Sequence, residues 1–386
     1  MPAEWQGILN TTIRKYIREV EEEVMRNRKI LAKLQSKGRV SYNWSGDQVE
    51  WRVRFRRAAL QGMADADTLT FARVNRHKKA NLDWRGYAIP DSVTKKEKLM
   101  NASTEAIVNR FTSLTEMMMD DIEDNFGDEF YVDGNASGND KRIHGIESFL
   151  GRATSALGTG ISAAGEIIGT PLYAPSDTYA GITTGLGDYG GTWSPALGSA
   201  GPWPSGSGSA EYDFYSPLIM DITSTLAAAS GGWASATATF AARGMEIIRY
   251  GLIKAGKNKS KKGQIDMVLT SDEYYRQFLA LLQTEERIVV QDAKPNSLKS
   301  LGFTDVINFD GCEVTYEYGV PSNTVYGFNT NQMELRSLQG QLFVPEGPDF
   351  DIAGQSWRFA VDFYGNMMFS SPRNFFVGRN IGGDGA

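Results

Sequence analysis

The chain has 386 residues and a formal net charge of −6. Because one hydrophobic core stops growing at about 250–300 residues, this length predicts more than one folded module. The negative charge argues against a general nucleic-acid-binding protein, which needs a dominant positive field. A single cysteine, Cys312, excludes an intramolecular disulfide. The two histidines, His77 and His144, lie far apart in sequence, which disfavours metallohydrolase and catalytic-triad chemistry.

The chain carries no signal for secretion or membrane insertion. Its first ten residues contain no basic segment followed by an apolar run, and no stretch of about 18 consecutive apolar residues occurs. We therefore expect a protein that has no signal peptide and no membrane partner.

The first predicted element is an amphipathic helix over residues 11–37, which ends at Gly38. Its narrow apolar stripe follows helical spacing and consists of Ile13, Ile17, Val20, Val24, Leu31 and Leu34. The rest of the helix surface is charged. Two interpretations remain open: the helix packs on its own domain, or it is an arm that lies against a neighbouring copy.

The second predicted element is a long β-hairpin. Residues 49–56 alternate between apolar and charged side chains, a second extended run covers 68–89, and a loop near 61–67 separates them. A limb of about 13 residues spans about 40 Å, whereas a compact chain of this size has a radius of gyration near 21 Å. The hairpin is therefore predicted to project and to find a partner surface on another molecule. The alternative is that it joins a larger sheet of its own domain.

The third predicted element is a helix over residues 103–126 that stops at Gly127. Its apolar face consists of Ile107, Phe111, Leu114, Met118 and Ile122. Its distal half is acidic. Carboxylates can bind metals or transfer protons, but this cluster contains no histidine, which favours a solvated or partner-facing patch.

The acidic helix end and the basic hairpin carry opposite charge on one chain. The hairpin also resembles a nucleic-acid surface, because its arginines alternate with aromatics. We favour a contact between copies, since a repeated heterologous contact builds rings or closed lattices. The expected contact residues are Trp51, Arg52, Arg54, Arg56, Arg57, Arg73 and Arg76 on the hairpin, and Glu116, Asp120, Asp121, Glu123 and Asp124 on the helix.

The remainder of the chain predicts an α+β region. Residues 151–210 are rich in Gly, Ala and Ser but contain several aromatics, which predicts long ordered loops. A buried strand at 265–269 precedes a helix at 274–283, with Thr270 and Glu273 as a capping box. Asp310-Gly311 and Gly365-Asn366 each predict a tight hairpin turn.

Two further patterns have weak functional interpretations. Residues 185–190 match the Gly-x-Gly-x-x-Gly dinucleotide pattern, but they follow no clear strand, so a nucleotide-dependent enzyme is a weak alternative and no cofactor is expected. A compact basic loop either attracts phosphate or is a solvated turn after a helix, and the second interpretation is favoured. Its residues are Lys257, Lys259, Lys261 and Lys262.

The order of these elements resembles the Johnson fold of tailed-bacteriophage major capsid proteins, which encapsulin shells share. The resemblance implies an N-terminal helical arm at 1–38, an extended hairpin loop (E-loop) at 39–99 and a peripheral domain with a spine helix at 100–140. It further implies an axial domain at 141–345, including the Gly/Ser/Ala-rich insertion, and closing strands at 346–386 that return to the peripheral domain. The basic Lys257–Lys262 loop would lie near capsomer centres or on the outer surface.

The resemblance also implies a function. The chain is expected to be a non-enzymatic subunit that assembles into pentamers and hexamers of an icosahedral phage head around double-stranded DNA. Scaffolding, portal and possible decoration proteins are the implied partners, together with weak, non-specific DNA contact. The expected location is the virion, after assembly in the bacterial cytoplasm. An encapsulin shell protein is the alternative; neither proteolytic cleavage nor crosslinking is expected.

Overall fold

A computed structural model gives the fold. It describes residues 28–54, 61–65, 67–69, 71, 77–100, 114, 117–118, 121–122, 124–156, 160–161, 167–168, 172–175, 177–184, 215–222, 239–256, 264–284, 297–340 and 343–379. The described helices are α1 (Lys29–Ser36), α2 (Lys95–Met100), α3 (Phe240–Ala255) and α4 (Asp272–Thr284). Residues 114, 117–118, 121–122 and 124–129 are also helical, and we call them the acidic helix. Short 3₁₀ turns lie at Ile146–Phe149, Thr330–Gln332 and Pro372–Asn374.

The strands form two large sheets and several two-stranded ribbons. The strands of the first half are β1 (Val40–Trp44), β2 (Gln48–Arg54), β3 (His77–Asp83), β4 (Arg85–Thr94), β5 (Arg152–Ala156), β6 (Gly160–Ile161), β7 (Ile167–Ile168), β8 (Leu172–Pro175), β9 (Thr178–Tyr179) and β10 (Ile182–Thr183). Those of the second half are β11 (Leu218–Asp221), β12 (Met267–Thr270), β13 (Ile307–Phe309), β14 (Cys312–Tyr316), β15 (Thr324–Phe328), β16 (Met333–Leu338), β17 (Val344–Asp351), β18 (Ser356–Phe369) and β19 (Phe376–Arg379).

The eight-stranded sheet has the order β13-β14-β12-β15-β19-β11-β8-β5. Its central strands, such as β12 and β15, are buried on both faces. One face, which includes Val268, Val314 and Phe376, packs with α3 and α4. The residues next to them in sequence, such as Leu269 and Val377, point to the other face and pack into the main core. This period of two explains why the central strands are almost entirely apolar.

The turn predicted between β13 and β14 is confirmed. Phe309 lies opposite Cys312, and the two residues between them have positive φ, 48° for Asp310 and 86° for Gly311. That backbone matches the right-handed twist of the flanking strands. The helix predicted after β12 is also confirmed, but the predicted capping box is wrong. Thr270 is the last residue of β12 and the helix begins at Asp272, because parallel pairing with β14 extends the strand to Thr270.

The five-stranded sheet has the order β1-β16-β18-β17, with β4 on the other edge of β18. The predicted turn at Gly365-Asn366 is wrong, because β18 runs unbroken from Ser356 to Phe369. Gly365 serves close packing instead: a Cβ there would lie 2.5 Å from the backbone oxygen of Arg336 on β16. A glycine that admits a neighbouring backbone has the same local sequence signature as a turn glycine.

The paired base of the hairpin is present, but its second limb ends earlier than predicted, at Asp83. β2 and β3 pair antiparallel from Gln48 opposite Asp83 to Arg54 opposite His77. The seven described residues of β2 correspond to about 23 Å at roughly 3.3 Å per residue. The predicted run to residue 89 crosses into β4, which leaves the hairpin and pairs with β18. Both strands alternate between apolar and polar residues, so the sequence pattern does not show where the partner changes.

The main core lies where the two large sheets meet. Tyr179 is fully buried there, and its ring contacts those of Phe149 and Phe369 at centroid distances of 5.5 and 6.0 Å. Its hydroxyl donates to the Met367 carbonyl (3.2 Å) and accepts from the Phe369 amide (3.1 Å). This cluster joins the end of β18 to the 177–184 segment, on which the hairpin rests.

Candidate assembly surface

The inner face of the hairpin packs on its own chain. Val49 and Val53 on β2 and Ala80 on β3 are buried. The half-buried Trp51 ring lies 6.0 Å from that of Tyr179. Trp51, a predicted contact residue, is therefore engaged within the subunit, and the paired base of the hairpin belongs to its own fold.

The outer face of the hairpin is charged. Glu50, Arg52, Lys78 and Lys79 are exposed, and Lys79 forms an ion pair with Glu50. Among the predicted contact residues on this element, Arg52 points to solvent and Arg54 is described by its backbone alone. The others lie outside the described residues, namely Arg56, Arg57, Arg73 and Arg76.

The segment between the two limbs exposes large apolar side chains. Phe71 is 91% exposed, Met63 68% and Leu69 44%. We call described residues 61–65, 67–69 and 71 the tip segment. Solvent-exposed apolar side chains grouped in one segment are typical of surfaces that a partner covers.

The acidic helix has the predicted amphipathic arrangement. Leu114, Met118 and Ile122 are buried, which confirms the apolar face over the described positions. Asp121 and Asp124 are exposed on its other side. The remaining predicted residues of the patch, Glu116, Asp120 and Glu123, lie outside the described residues.

The guanidinium of Arg28 contacts the C-terminal part of the acidic helix. Arg28 donates from Nη2 to the backbone oxygen of Asp124 (3.2 Å), and its guanidinium lies 3.7 Å from the Asp124 carboxylate. A positive charge at a helix C-terminus complements the helix dipole. The side chain of Asp124 nevertheless remains largely exposed to solvent.

A cavity of about 270 Å³ lies between the acidic helix and the five-stranded sheet. Its walls are mainly apolar and aromatic. The lining residues are Tyr87, Ala88, Ile89, Ile122, Asn125, Phe126, Glu129, Phe343, Val361 and Phe363. Phe126 contributes its ring edge-on, with centroids 5.2 Å from Phe343 and 5.0 Å from Phe363.

One wall of the cavity is fixed by a polar network. The Tyr87 hydroxyl donates to Glu129 (2.6 Å) and accepts from the Ile143 amide (2.6 Å). Arg142 binds the same Glu129 carboxylate from its Nε (3.0 Å). Burial and then the hydrogen bond to Glu129 raise the pKa of Tyr87 above its ordinary range, so this hydroxyl keeps its proton and remains a donor.

A second polar interface fastens α1 to the eight-stranded sheet. Lys33 Nζ donates to Glu313 Oε2 (2.6 Å), and Lys29 Nζ donates to Thr315 Oγ1 (2.8 Å). The backbone amide of Ile30 donates to Glu317 (3.3 Å). Glu313 and Thr315 on β14 and Glu317 directly after it are spaced two positions apart, so an extended backbone presents all three on one face. These contacts show that α1 packs on its own subunit. The predicted end of the first helix is also confirmed, because α1 stops at Ser36 and Gly38 follows with a φ of 63°.

Several predictions fall outside the described residues. These are most of the first helix, the dinucleotide-like pattern at 185–190 and the basic residues Lys257, Lys259, Lys261 and Lys262. Within the part of the chain that the structure describes, no group of three or more His, Cys, Asp and Glu side chains is arranged to hold a metal ion. No helix in that part has the length and apolar character to cross a membrane.

The fold resembles that of capsid proteins of known structure. The capsid of the cyanophage A-1(L) matches 92% of this chain and 92% of its own, at 16% identity and a TM-score of 0.53. The capsid of the native GTA particle matches 90% of each chain at 9% identity, with a TM-score of 0.49. The SrpI encapsulin of Synechococcus elongatus matches 90% of this chain and 87% of its own at 8% identity, with a TM-score of 0.45. The predicted α+β capsid fold is thus confirmed by the first of these structures, whereas no family model and no curated protein matches the sequence.

Sequence reasoning missed two features of this surface. The cavity depends on side chains from 87 to 363, which no local pattern brings together. The α1 interface joins Lys29 to Thr315 across 286 positions of sequence. The one available signal was the charge pattern around β14, where Glu313 and Glu317 stand four positions apart in an otherwise uncharged segment and so on one side of an extended backbone.

Proposed function

We propose that this chain is the major capsid protein of a tailed bacteriophage. In this proposal it is a structural subunit without catalytic activity that self-assembles into the pentamers and hexamers of an icosahedral head around double-stranded DNA. The observation that carries the proposal is the similarity in fold to the cyanophage A-1(L) capsid over nearly the whole of both chains. Fold alone does not define function, so the charged outer face of the hairpin is the second support.

The proposed contact between subunits joins opposite charges. The outer face of the hairpin, with Arg52 exposed, would lie across the acidic helix of an adjacent copy, where Asp121 and Asp124 are exposed. This contact is heterologous, because two different surfaces of the same chain meet. Repeated around an axis it closes into rings, and rings joined edge to edge close into a shell.

The proposed partners follow from this role. Copies of the chain itself are the main partner. A separate scaffolding protein, a portal protein and decoration proteins are proposed in addition, with weak, non-specific contact to packaged DNA. We propose the domain boundaries given above on the same basis, and the location is the virion after assembly in the bacterial cytoplasm.

Electron microscopy of the purified protein tests the proposal directly. We expect closed particles with pentamers and hexamers, alone or after co-expression with the scaffolding protein of the same gene cluster. Particles that are purified from an infected host and contain double-stranded DNA support a phage head. Particles that enclose an enzyme cargo support an encapsulin shell. A chain that stays monomeric under all of these conditions would refute both.

Charge reversal tests the contact. Arg54→Glu with Arg56→Glu should reduce particle yield while the circular dichroism spectrum is unchanged, and Asp121→Lys with Asp124→Lys in the same chain should restore part of it. Arg276→Glu, an exposed position on α4, is the matched control. Equal yields from all variants would exclude the proposed charge contact.

A further inference from the structure

We infer that the cavity beside the acidic helix binds the aromatic side chain of Phe71 from the tip segment of a second copy. This inference rests on the proposed function, because the two copies are adjacent subunits of the shell. It goes beyond the charge contact by assigning a specific apolar anchor and a specific receiving site.

The first support is the exposure of the tip segment. Phe71 is 91% exposed, so it occupies no cavity of its own chain. Met63 and Leu69 in the same segment are exposed as well. Burial of a complete Phe side chain favours association by roughly 10- to 100-fold for each contact. The tip segment would therefore bury the most apolar surface against a partner that offers an apolar cavity.

The second support is the size and chemistry of the cavity. It measures about 270 Å³, whereas an apolar cavity of about 150 Å³ is large enough to bind benzene. The rings of Phe126, Phe343 and Phe363 line it together with Val361. An entering phenyl ring would meet aromatic edges and faces at the offset geometries that such pairs prefer.

The third support is the charge around the opening. Asn125 and Glu129 form the polar side of the cavity, and Asp121, one helical turn before Asn125, is exposed. The limbs that carry the tip segment present Arg52 at their outer face. Opposite charges around an apolar centre match the usual arrangement of an interface, with a buried anchor and a polar rim.

Site-directed crosslinking tests the inference while Phe71 itself is retained. The single native cysteine, Cys312, is buried, so introduced cysteines are the reactive ones. Leu69→Cys lies two positions from Phe71, and Asn125→Cys lies at the cavity. In assembled particles treated with a short bifunctional maleimide, this pair should give covalent multimers on a denaturing gel. Leu69→Cys with Tyr318→Cys, an exposed position that does not line the cavity, is the matched control pair.

The decisive variant adds Phe71→Ser to the Leu69→Cys and Asn125→Cys pair. If Phe71 is the anchor, crosslinking falls at least tenfold, and the protein concentration needed for particle formation rises by a similar factor. Crosslinking that is unchanged by Phe71→Ser, or no stronger than in the control pair, overturns the inference even though particles form. Failure of the unmodified chain to form any particle is a separate outcome, and it overturns the proposed function.

Discussion

Replacement of Lys33 by Met should strongly destabilise the subunit, because it breaks a buried ion pair from one side. Lys33 is 3% exposed, and its Nζ lies 2.6 Å from Glu313 Oε2 and 3.1 Å from the Asp266 carbonyl. Glu313 is 7% exposed and also accepts from the Leu298 amide (3.0 Å). In Lys33→Met the Glu313 carboxylate stays buried, and the Leu298 amide is the one donor described above that it keeps.

The expected magnitude follows from the cost of an uncompensated buried charge. Removal of one partner of a buried pair typically costs about 3–5 kcal/mol, whereas replacement of both by apolar residues of similar size is often neutral. We therefore expect Lys33→Met to lower the free energy of unfolding by about 3–5 kcal/mol. Lys33→Met combined with Glu313→Leu should recover most of that loss, although the Leu298 amide then lacks its acceptor, at about 1–3 kcal/mol.

Urea denaturation of the unassembled subunit, followed by tryptophan fluorescence, measures these differences. The two single variants and the double variant form a thermodynamic cycle whose coupling energy isolates the pair. Lys78→Met, at an exposed position of β3, controls for the loss of a lysine at the surface. A loss below about 1 kcal/mol for Lys33→Met, or simple additivity in the cycle, would contradict the reasoning.

Three further predictions concern the stability of the subunit. Burial raises the pKa of Glu317 to about 7 from an ordinary value of 4.5; the folded state therefore holds the proton more tightly, and stability is lost as the pH rises from about 5 through 7, by about 3 kcal/mol. Glu317→Gln, which still accepts from the Ile30 amide, should remove that dependence in pH-resolved thermal unfolding. Gly365→Ala should lower the melting temperature, because its Cβ meets the β16 backbone, whereas Gly62→Ala, with nothing within 4 Å, should not. Asn366→Leu should cost about 2 kcal/mol or more in urea unfolding, since it removes hydrogen bonds to three backbone groups; an unchanged midpoint would exclude this role.

Much of the fold was predictable where the signal is local. The alternation of β2 reports one buried face, and Val49 and Val53 are buried accordingly. The Asp310-Gly311 turn was predictable because few residue pairs adopt its backbone geometry. Helical spacing likewise gave the buried face of the acidic helix.

The errors came from features whose partners are distant in sequence. Gly365-Asn366 has the composition of a turn, but its glycine admits the backbone of β16 and its asparagine bridges β18 to the hairpin. The boundary between β3 and β4 at Trp84 was missed because the alternation continues across it. The cavity and the α1 interface were not predictable, since each depends on tertiary contacts that a single sequence does not encode locally.

The base of the hairpin is held at several points, and this bears on how subunits meet. The amide of Asn366 donates to the Asp83 carbonyl (2.8 Å), Arg336 donates to that of Glu50 (3.3 Å), and the Asn81 amide donates to Ala180 (3.3 Å). Together with the buried inner face, these bonds fix the paired base of the hairpin to its own subunit. In the proposed shell, a hairpin whose base is already fixed would lose less conformational entropy on docking, so contacts of modest strength beyond the base would be enough for association. The same logic makes the base as important as the tip: a substitution that loosens it should weaken assembly without altering the contact surface.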